Sequence, residues 1–375
     1  MYLIPTAKAG CSALPQAGAA TKLSSDREFC LTVKPMPGEG LMEIFTRLDT
    51  ALKDSETTLI NLIVFGSVSA RPAADEAMRR VFGRIDWPVT WVEGAAYDEH
   101  PIAGMQAFVF DADQVSRVTL DGRVVGSVFE EGGLRHCLLG GLGPNPGLVL
   151  RPDQCRQTLG NLEKSLSQAG FWMADLVRTW FYLDDLLSWY GEFNKVRTEA
   201  YSQIRFRAGS LPASTGISGK NPAGAALVVG AWAAQPLEAA AQIAEAGSPL
   251  QCPAPAYGSS FSRAMEITSR RGRRLLISGT ASIAPGGETL WPEDTRKQID
   301  LTMEVVQAIL VARQYEFADI TRATAYFKNR ADIPLFSAWC AARALRSMPV
   351  VVAQSGICRD DLLFELEADA WKSAL

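Results

Sequence analysis

Apolar and polar positions run through the same succession of patterns twice along this chain. Leu138-Leu139-Gly140-Gly141-Leu142-Gly143-Pro144 and Leu275-Leu276-Ile277-Ser278-Gly279-Thr280-Ala281 are both apolar runs that break at glycine. Short apolar runs ended by glycine predict buried strands. Each is followed by apolar residues at helical spacing, from Arg151 and from Trp291, with Asp153 and Asp294 near the start. A carboxylate in the first turn complements the helix dipole. Then ADLVRTWFYLDD (174–185) and ADITRATAYFKN (318–329) match almost residue for residue. Asp175 falls on Asp319, Arg178 on Arg322 and Tyr182 on Tyr326, a constant offset of 144. A second helical segment follows in each, through WYGEFNKVRTEAY and LFSAWCAARAL, and Pro212 or Pro349 opens two last strands. The prediction is β-β-β-α-β-α-β-β, twice.

A more eroded copy precedes these two. LMEIFTRLDTALKDSETTLINLIVFGS (41–67) reads as helix and strand, DEAMRRVFGRI as the second helix, and DWPVTWVEG with IAGMQAFVFDA as the last strands. Its opening strands are expected at about 27–36. The expected organisation is a divergent first unit at 1–114, a second at 115–240, an Ala- and Pro-rich linker at 241–256 and a third unit at 257–375.

Composition narrows the function. The 375 residues are 47% hydrophobic and 21% charged, ordinary for a globular protein with a sizeable core. A net charge of −4 leaves no basic footprint for nucleic acid. No run approaches the roughly 18 apolar residues of a membrane span. Residues 1–20 lack a charged segment followed by a continuous apolar core, so no signal peptide is read. The seven cysteines are scattered without a CxxC, as reduced thiols of a cytoplasmic protein would be. Two histidines leave little for a metal site or a His-based triad. Neither GGLGPNPG nor GGETLWPEDT has the lysine and hydroxyl of a phosphate loop. No cofactor and no metal are expected, and acid–base work would fall to a carboxylate, Tyr, Cys or Lys.

One carboxylate stands out. In CRDDLLFELEADA (358–370), Glu365 and Glu367 interrupt an apolar strand. At an offset of 137 they fall on Val228 and Gly230 of the preceding copy. The charge is therefore an addition in one copy, not a demand of the unit. Glu365 either lines a solvated face or enters a pocket, where burial raises its pKa and makes it a proton donor. Glu367 reads as structural.

With LLISGTASI, LPASTGI and LLFELEADA, the unit resembles the Rid/YjgF family, whose small α+β subunits form trimers with sites between neighbours. The larger set RTWFYLDDLLSWYGEFNKVRTEAY, LPASTGISG, YGSSFSRA, LLISGTASIAPGGET and CRDDLLFELEADA, in this order, is similar to the chorismatases. These build on the Rid fold and remove pyruvate from chorismate. The resemblance covers roughly residues 115–375 and implies an α+β fold of tandem Rid/YjgF-like (chorismate-mutase-like) units. Three such units in one chain would form a pseudo-trimer of mixed sheets backed by helices, sufficient as a monomer. The working cleft would lie where units two and three meet, with chorismate or a close analogue as its small-molecule substrate.

The resemblance also assigns roles. Glu365 is implied as the general acid. Cys358 goes with the branch that makes 3-hydroxybenzoate rather than a dihydrodiol. Two substrate carboxylates call for cations, and arginine binds carboxylates bidentately. Arg263 is the first candidate, with Arg205, Arg207 and Lys328 behind it. Ser214, Thr215 and Gly216, and Gly279, Thr280 and Ala281, offer hydroxyls, amides and close backbone approach. Tyr201 and Tyr257 are candidate walls. Rid proteins that hydrolyse imines carry an arginine where this chain has Gln354, so imine deamination is not expected. An aminated chorismate as substrate, and a non-catalytic metabolite binder, remain as alternatives. A solvent-exposed Glu365 would favour the binder.

Overall fold

The computed structural model describes residues 30–111 and 114–374. The leader reading of residues 1–20, and the start of the first expected strand, lie outside the described residues. The first unit contains β1 (Cys30–Val33), α1 (Leu41–Asp54), β2 (Thr57–Gly66), α2 (Arg71–Phe82), β3 (Val89–Val92) and β4 (Ile102–Asp111). The second contains β5 (Ser116–Leu120), β6 (Arg123–Glu131), β7 (Leu134–Leu142), α3 (Arg151–Gln168), β8 (Leu176–Leu183), α4 (Tyr190–Ser202), β9 (Ala213–Ser218) and β10 (Leu227–Pro236). The third contains β11 (Gln242–Ala246), β12 (Ala264–Thr268), β13 (Gly272–Ala281), α5 (Thr295–Ala312), β14 (Ile320–Phe327), α6 (Ile333–Ala342), β15 (Val350–Gln354) and β16 (Phe364–Ser373).

Units two and three form sheets of one topology, β5-β6-β7-β10-β8-β9 and β11-β12-β13-β16-β14-β15. The first sheet, β1-β4-β2-β3, is the same arrangement without the two outermost strands. The stretch read as a linker, 241–256, departs from expectation: Gln242–Ala246 pairs antiparallel with β12 as the edge strand of the third sheet. Its polar residues gave little strand pattern because an edge strand has one side to solvent, and its burial is correspondingly low.

Local chemistry fits the elements. Asp294 caps α5 by accepting from the Lys297 amide at 3.1 Å. Pro152 sits in the first turn of α3, where its missing N–H costs nothing. β8 (LVRTWFYL) and the apolar part of β16 are buried on both faces because helices cover one side and the other units cover the other.

The three sheets meet around a shared centre. Phe65, Tyr182 and Tyr326 occupy matched positions of β2, β8 and β14, each level with the start of the last strand of its sheet. The Phe65 ring lies edge-on to Tyr182 at 6.1 Å and to Tyr326 at 5.8 Å. The same strand registers place Gly104, Val228 and Glu365 at one equivalent position. The offset of 137 read from sequence is thus the spatial equivalence. Among the described residues no helix is long and apolar enough to cross a membrane.

Candidate active site

Unit two presents β9 to β13 of unit three, and Glu365 stands at this junction. On β16 it pairs with Ala281 of β13 and Tyr326 of β14. Its residue is 4% exposed, so the solvated-face reading fails. The carboxyl lies over Gly279, where an added Cβ would collide with Oε1. Any side chain here would have to displace the carboxyl, so glycine leaves the acid its place. Burial, and next the negative charge of Glu367, push the Glu365 pKa from 4.5 to about 8, against the opposing pull of Arg178 and Arg263. At neutral pH it is a proton donor.

Glu367, two residues on, has a different role. It accepts from Arg178 at 2.7 Å, Arg322 at 2.9 Å, the Trp180 indole at 3.0 Å and the Thr215 hydroxyl. Arg322 also pairs with Asp369 at 2.6 Å. Burial works to raise Glu367, but Arg322 and Arg178 outweigh it and hold the carboxyl below its usual value. This dry ion-pair network joins units two and three, consistent with Arg178 and Arg322 recurring at the same place in both copies.

Ser214 and Thr215 fasten the junction. Thr215 Oγ1 accepts from the Gly279 amide at 3.1 Å and from Arg178 at 2.8 Å. The Ser214 amide donates to Ser278 Oγ at 2.8 Å, and Ser214 Oγ accepts from Thr179 at 2.9 Å. Thr280 donates to the Ser278 carbonyl. These groups are committed to protein partners, so the amides of Ser214 and Gly279 and the Thr215 hydroxyl are spent within the fold. Gly216 differs: an added Cβ there would meet nothing within 4 Å, and β9 has open space above it.

Arg263, Tyr257, Cys358 and Ala281 gather around Glu365. Arg263 is buried, donates to the Cys252 carbonyl at 3.0 Å and lies over the rings of Tyr257 and Phe261 at 5.4 and 5.5 Å. The Cys358 thiol is pushed up to about 12 by burial and by Glu365, so it is a neutral thiol rather than a thiolate.

Three candidate cations lie elsewhere. Arg205 is exposed after α4, Arg207 is exposed and pairs with Asp175, and Lys328 pairs with Asp360 at 2.8 Å. Sequence proximity to LPASTGI suggested the first two, but the turn before β9 points them outward. Tyr201 is buried in the core of unit two against Phe206, not in the cleft wall. Gln354 belongs to a different junction, where its amide donates to the Ala95 carbonyl of unit one at 3.0 Å.

Four residues escaped the sequence reading: Tyr190 and Arg359, which lie near Cys358, and Asn194 and Arg197, further along the same face of α4. Arg197 is buried, donates to Asn194 at 2.8 Å and leaves its Nε without a partner. Arg359 donates to the Gly287 carbonyl at 2.7 Å and lies over Tyr257 at 5.6 Å. Among the described residues, neither Arg197 nor Arg263 forms an ion pair with a carboxylate. The signal for the helix residues was their spacing, Y-x-x-x-N-x-x-R, which puts polar groups on one helical face.

The buried acid Glu365 thus stands in a seam between two tandem α+β units. Comparisons with known proteins add to this picture. The chain is similar to a chorismatase of Streptomyces rapamycinicus, 29% identical over 213 residues, which are 51% of this chain and 63% of that protein. It is also similar to a 3-hydroxybenzoate synthase of Streptomyces hygroscopicus, 24% identical over 224 residues, 52% of this chain and 64% of that protein. The matches therefore span less than two thirds of these relatives' length. A crystal structure of a chorismatase shares the fold at a TM-score of 0.66 and 20% identity, covering 93% of this chain and 99% of that one. No protein-family model matches the chain.

Proposed function

We propose that the protein is a chorismatase that cleaves the enolpyruvyl ether of chorismate, or a close analogue, in the cleft between units two and three. The observation that carries this reading is Glu365, a buried carboxyl that keeps its proton at neutral pH near Arg263, a buried arginine with no carboxylate of its own. A binding module has no need of a desolvated acid. A dicarboxylate substrate would supply an anion for Arg263, with Arg359 behind Tyr257 as a further cation.

The chemistry follows from that arrangement. Glu365 transfers its proton to the terminal methylene of the enol ether. The C=C electrons form the new C–H bond and leave an oxocarbenium ion. If water adds, the resulting hemiketal expels the ring alcohol, and pyruvate and a dihydrodiol form with one water consumed. If the neighbouring ring hydroxyl displaces the pyruvyl oxygen instead, the hydroxyl proton returns to the Glu365 carboxylate. The oxygen now bridges two ring carbons; its bond to the carbon that carried the hydroxyl breaks, the other carbon loses its proton as the ring aromatises, and the retained oxygen takes up a proton. The products are pyruvate and 3-hydroxybenzoate, with no water consumed. Cys358, a neutral thiol among apolar groups, favours the second course by keeping water out.

The test is to incubate the protein with chorismate and, separately, with its aminated analogue, measure pyruvate and separate the ring products. Pyruvate and 3-hydroxybenzoate from chorismate are expected. Faster release from the aminated compound would reassign the substrate, and no release from either would remove this reading.

A further inference from the structure

Glu365 and Arg263 are buried, so a substrate reaches them only when something that covers them moves. Residues 282–290 leave β13 directly after Ala281, which pairs with Glu365. They form a hairpin in which the Leu290 amide donates to the Ser282 carbonyl at 2.9 Å and the Ala284 amide to the Glu288 carbonyl at 2.8 Å. The turn is Pro285-Gly286-Gly287, and Gly287 has φ +94°, which glycine adopts without strain. Gly287 backs onto Tyr257: an added Cβ would stand 3.5 Å from that side chain. Tyr257 in turn is the ring that Arg263 and Arg359 lie over. The hairpin tip therefore roofs the ring that both cations face.

Its feet and its tip are held differently. Buried Gln251 donates from Nε2 to the carbonyls of Ala281 and Ile283, each at 3.0 Å. Buried Gln298 of α5 donates to the Trp291 carbonyl at 3.0 Å and the Asp361 carbonyl at 2.8 Å, and accepts from the Leu363 amide at 2.7 Å. The tip has two side-chain bonds nearer to water. Half-buried Arg359 donates to the Gly287 carbonyl at 2.7 Å, and the Thr289 hydroxyl donates to the exposed Asp361 carboxylate at 2.9 Å. The corresponding connection of unit two is tied to its own helix instead. Asn161 of α3 donates to the Gly143 carbonyl at 2.8 Å, Gln157 accepts from the Asn145 amide at 2.7 Å, and Gln154 donates to the Leu148 carbonyl at 3.0 Å. The tip of the unit-three hairpin is fastened to the segment that leads into the acid's own strand.

We propose that residues 282–290 are a lid over Glu365 that swings on its two glutamine-held feet, and that Arg359 is its latch, exchanging the Gly287 carbonyl for a carboxylate of the substrate. The substrate's identity rests on the chorismatase reading above; the motion does not. A neutral carbonyl is the weaker partner, because a carboxylate makes a shorter, charge-assisted bond to the same guanidinium. With the substrate in place, the Thr289–Asp361 bond brings the lid down again and shuts out water.

The first test combines Thr289→Cys with Asp361→Cys, at positions whose side chains meet at 2.9 Å. Reduced, this variant should release pyruvate from chorismate within about twofold of wild type, as surface changes do. Once the two thiols are joined, as confirmed by peptide mass spectrometry, release should fall at least roughly tenfold and return on reduction. Full activity in the joined form overturns the proposal. Hydrogen exchange needs no substrate. Peptides covering 282–290 should exchange faster than those of β13, and roughly two- to tenfold faster still in Thr289→Val, the worth of one hydrogen bond. Exchange as slow as in β13 also overturns the lid. Arg359→Met should quicken exchange likewise but raise KM roughly tenfold or more, whereas Thr289→Val should leave KM within about twofold. Equal KM in the two variants removes the latch role from Arg359. A wild type that releases no pyruvate while the hairpin exchanges as expected would overturn the chorismatase reading and leave the lid standing.

Discussion

The junction between units one and two and the junction between units two and three are built alike, yet the acid Glu365 of the second has an apolar counterpart in the first. In both, a threonine hydroxyl accepts from a glycine amide across the units: Thr90 from Gly141 at 2.8 Å and Thr215 from Gly279 at 3.1 Å. Where the second junction has Glu365, the first has Val228, 8% exposed and packed in the central core. Where unit two reaches across with Arg178, unit one has Asn61, buried with its side-chain amide unpartnered. The third junction has Gly104 at the acid's position, and a Cβ there would meet Val351. The fold thus supplies three equivalent seams, and the proposed chemistry enters one of them through a handful of side chains. The hydrogen bond common to two seams marks what the fold needs, and the residues that differ mark what the site needs.

That contrast separates the two glutamates of one strand. Glu365→Gln should lower kcat/KM by about 10²–10⁴-fold, the usual worth of a positioned acid, with the fold intact. Glu367→Gln should instead cost about 3–5 kcal/mol of stability, because Arg178 and Arg322 are left buried and underpaired. Urea denaturation beside the pyruvate assay checks both, and equal stability loss in the two variants would merge roles that we keep apart.

The two seam glycines sharpen it further. Gly279→Ala should drop turnover by roughly ten- to a hundredfold, because the new methyl displaces the Glu365 carboxyl, and small misplacements of a catalytic group are costly. Gly141→Ala should leave turnover per folded molecule unchanged and lower the melting temperature. Gly141 has φ +64°, and its Cβ would meet the Val89 carbonyl at 2.7 Å. Activity loss in Gly141→Ala would mean that the first seam also works.

The titration of Glu365 gives a pH signature. Activity needs the protonated form, so kcat/KM should be flat below the pKa of about 8 and fall tenfold per pH unit above it. For stability the folded value lies above the ordinary 4.5, so this group's contribution is complete below 4.5 and lost as pH rises towards 8. Glu365→Gln should therefore melt progressively higher than wild type between pH 5 and pH 8. A gain that stays constant over that range would place the acid in water. The smallest effect is expected at Arg205 and Arg207, exposed on the outside of unit two. Alanine at either should change KM by no more than about twofold, the scale of surface charges.

Much of this was legible in the sequence, for identifiable reasons. A repeated chain carries its own internal reference, so the strands around Tyr182 and Tyr326 and the oddity of Glu365 against Val228 could be read without coordinates. The first strand of unit three was not, because Gln242–Ala246 is a half-exposed edge strand with no apolar alternation. Of the arginines near Glu365 and Cys358, Arg263 was read and Arg359 was not. Arg205 and Arg207 lie close along the chain to a cleft strand but turn away from it. Proximity in sequence sets a position along a strand or helix. Which side chain enters a seam depends on how whole units dock.

The most direct measurement is pyruvate release from chorismate by wild type and Glu365→Gln at pH 7, with circular dichroism to show that both are folded. The account predicts release by the wild type and a loss of at least about a hundredfold in the variant. A folded Glu365→Gln that releases pyruvate as fast as wild type would contradict it.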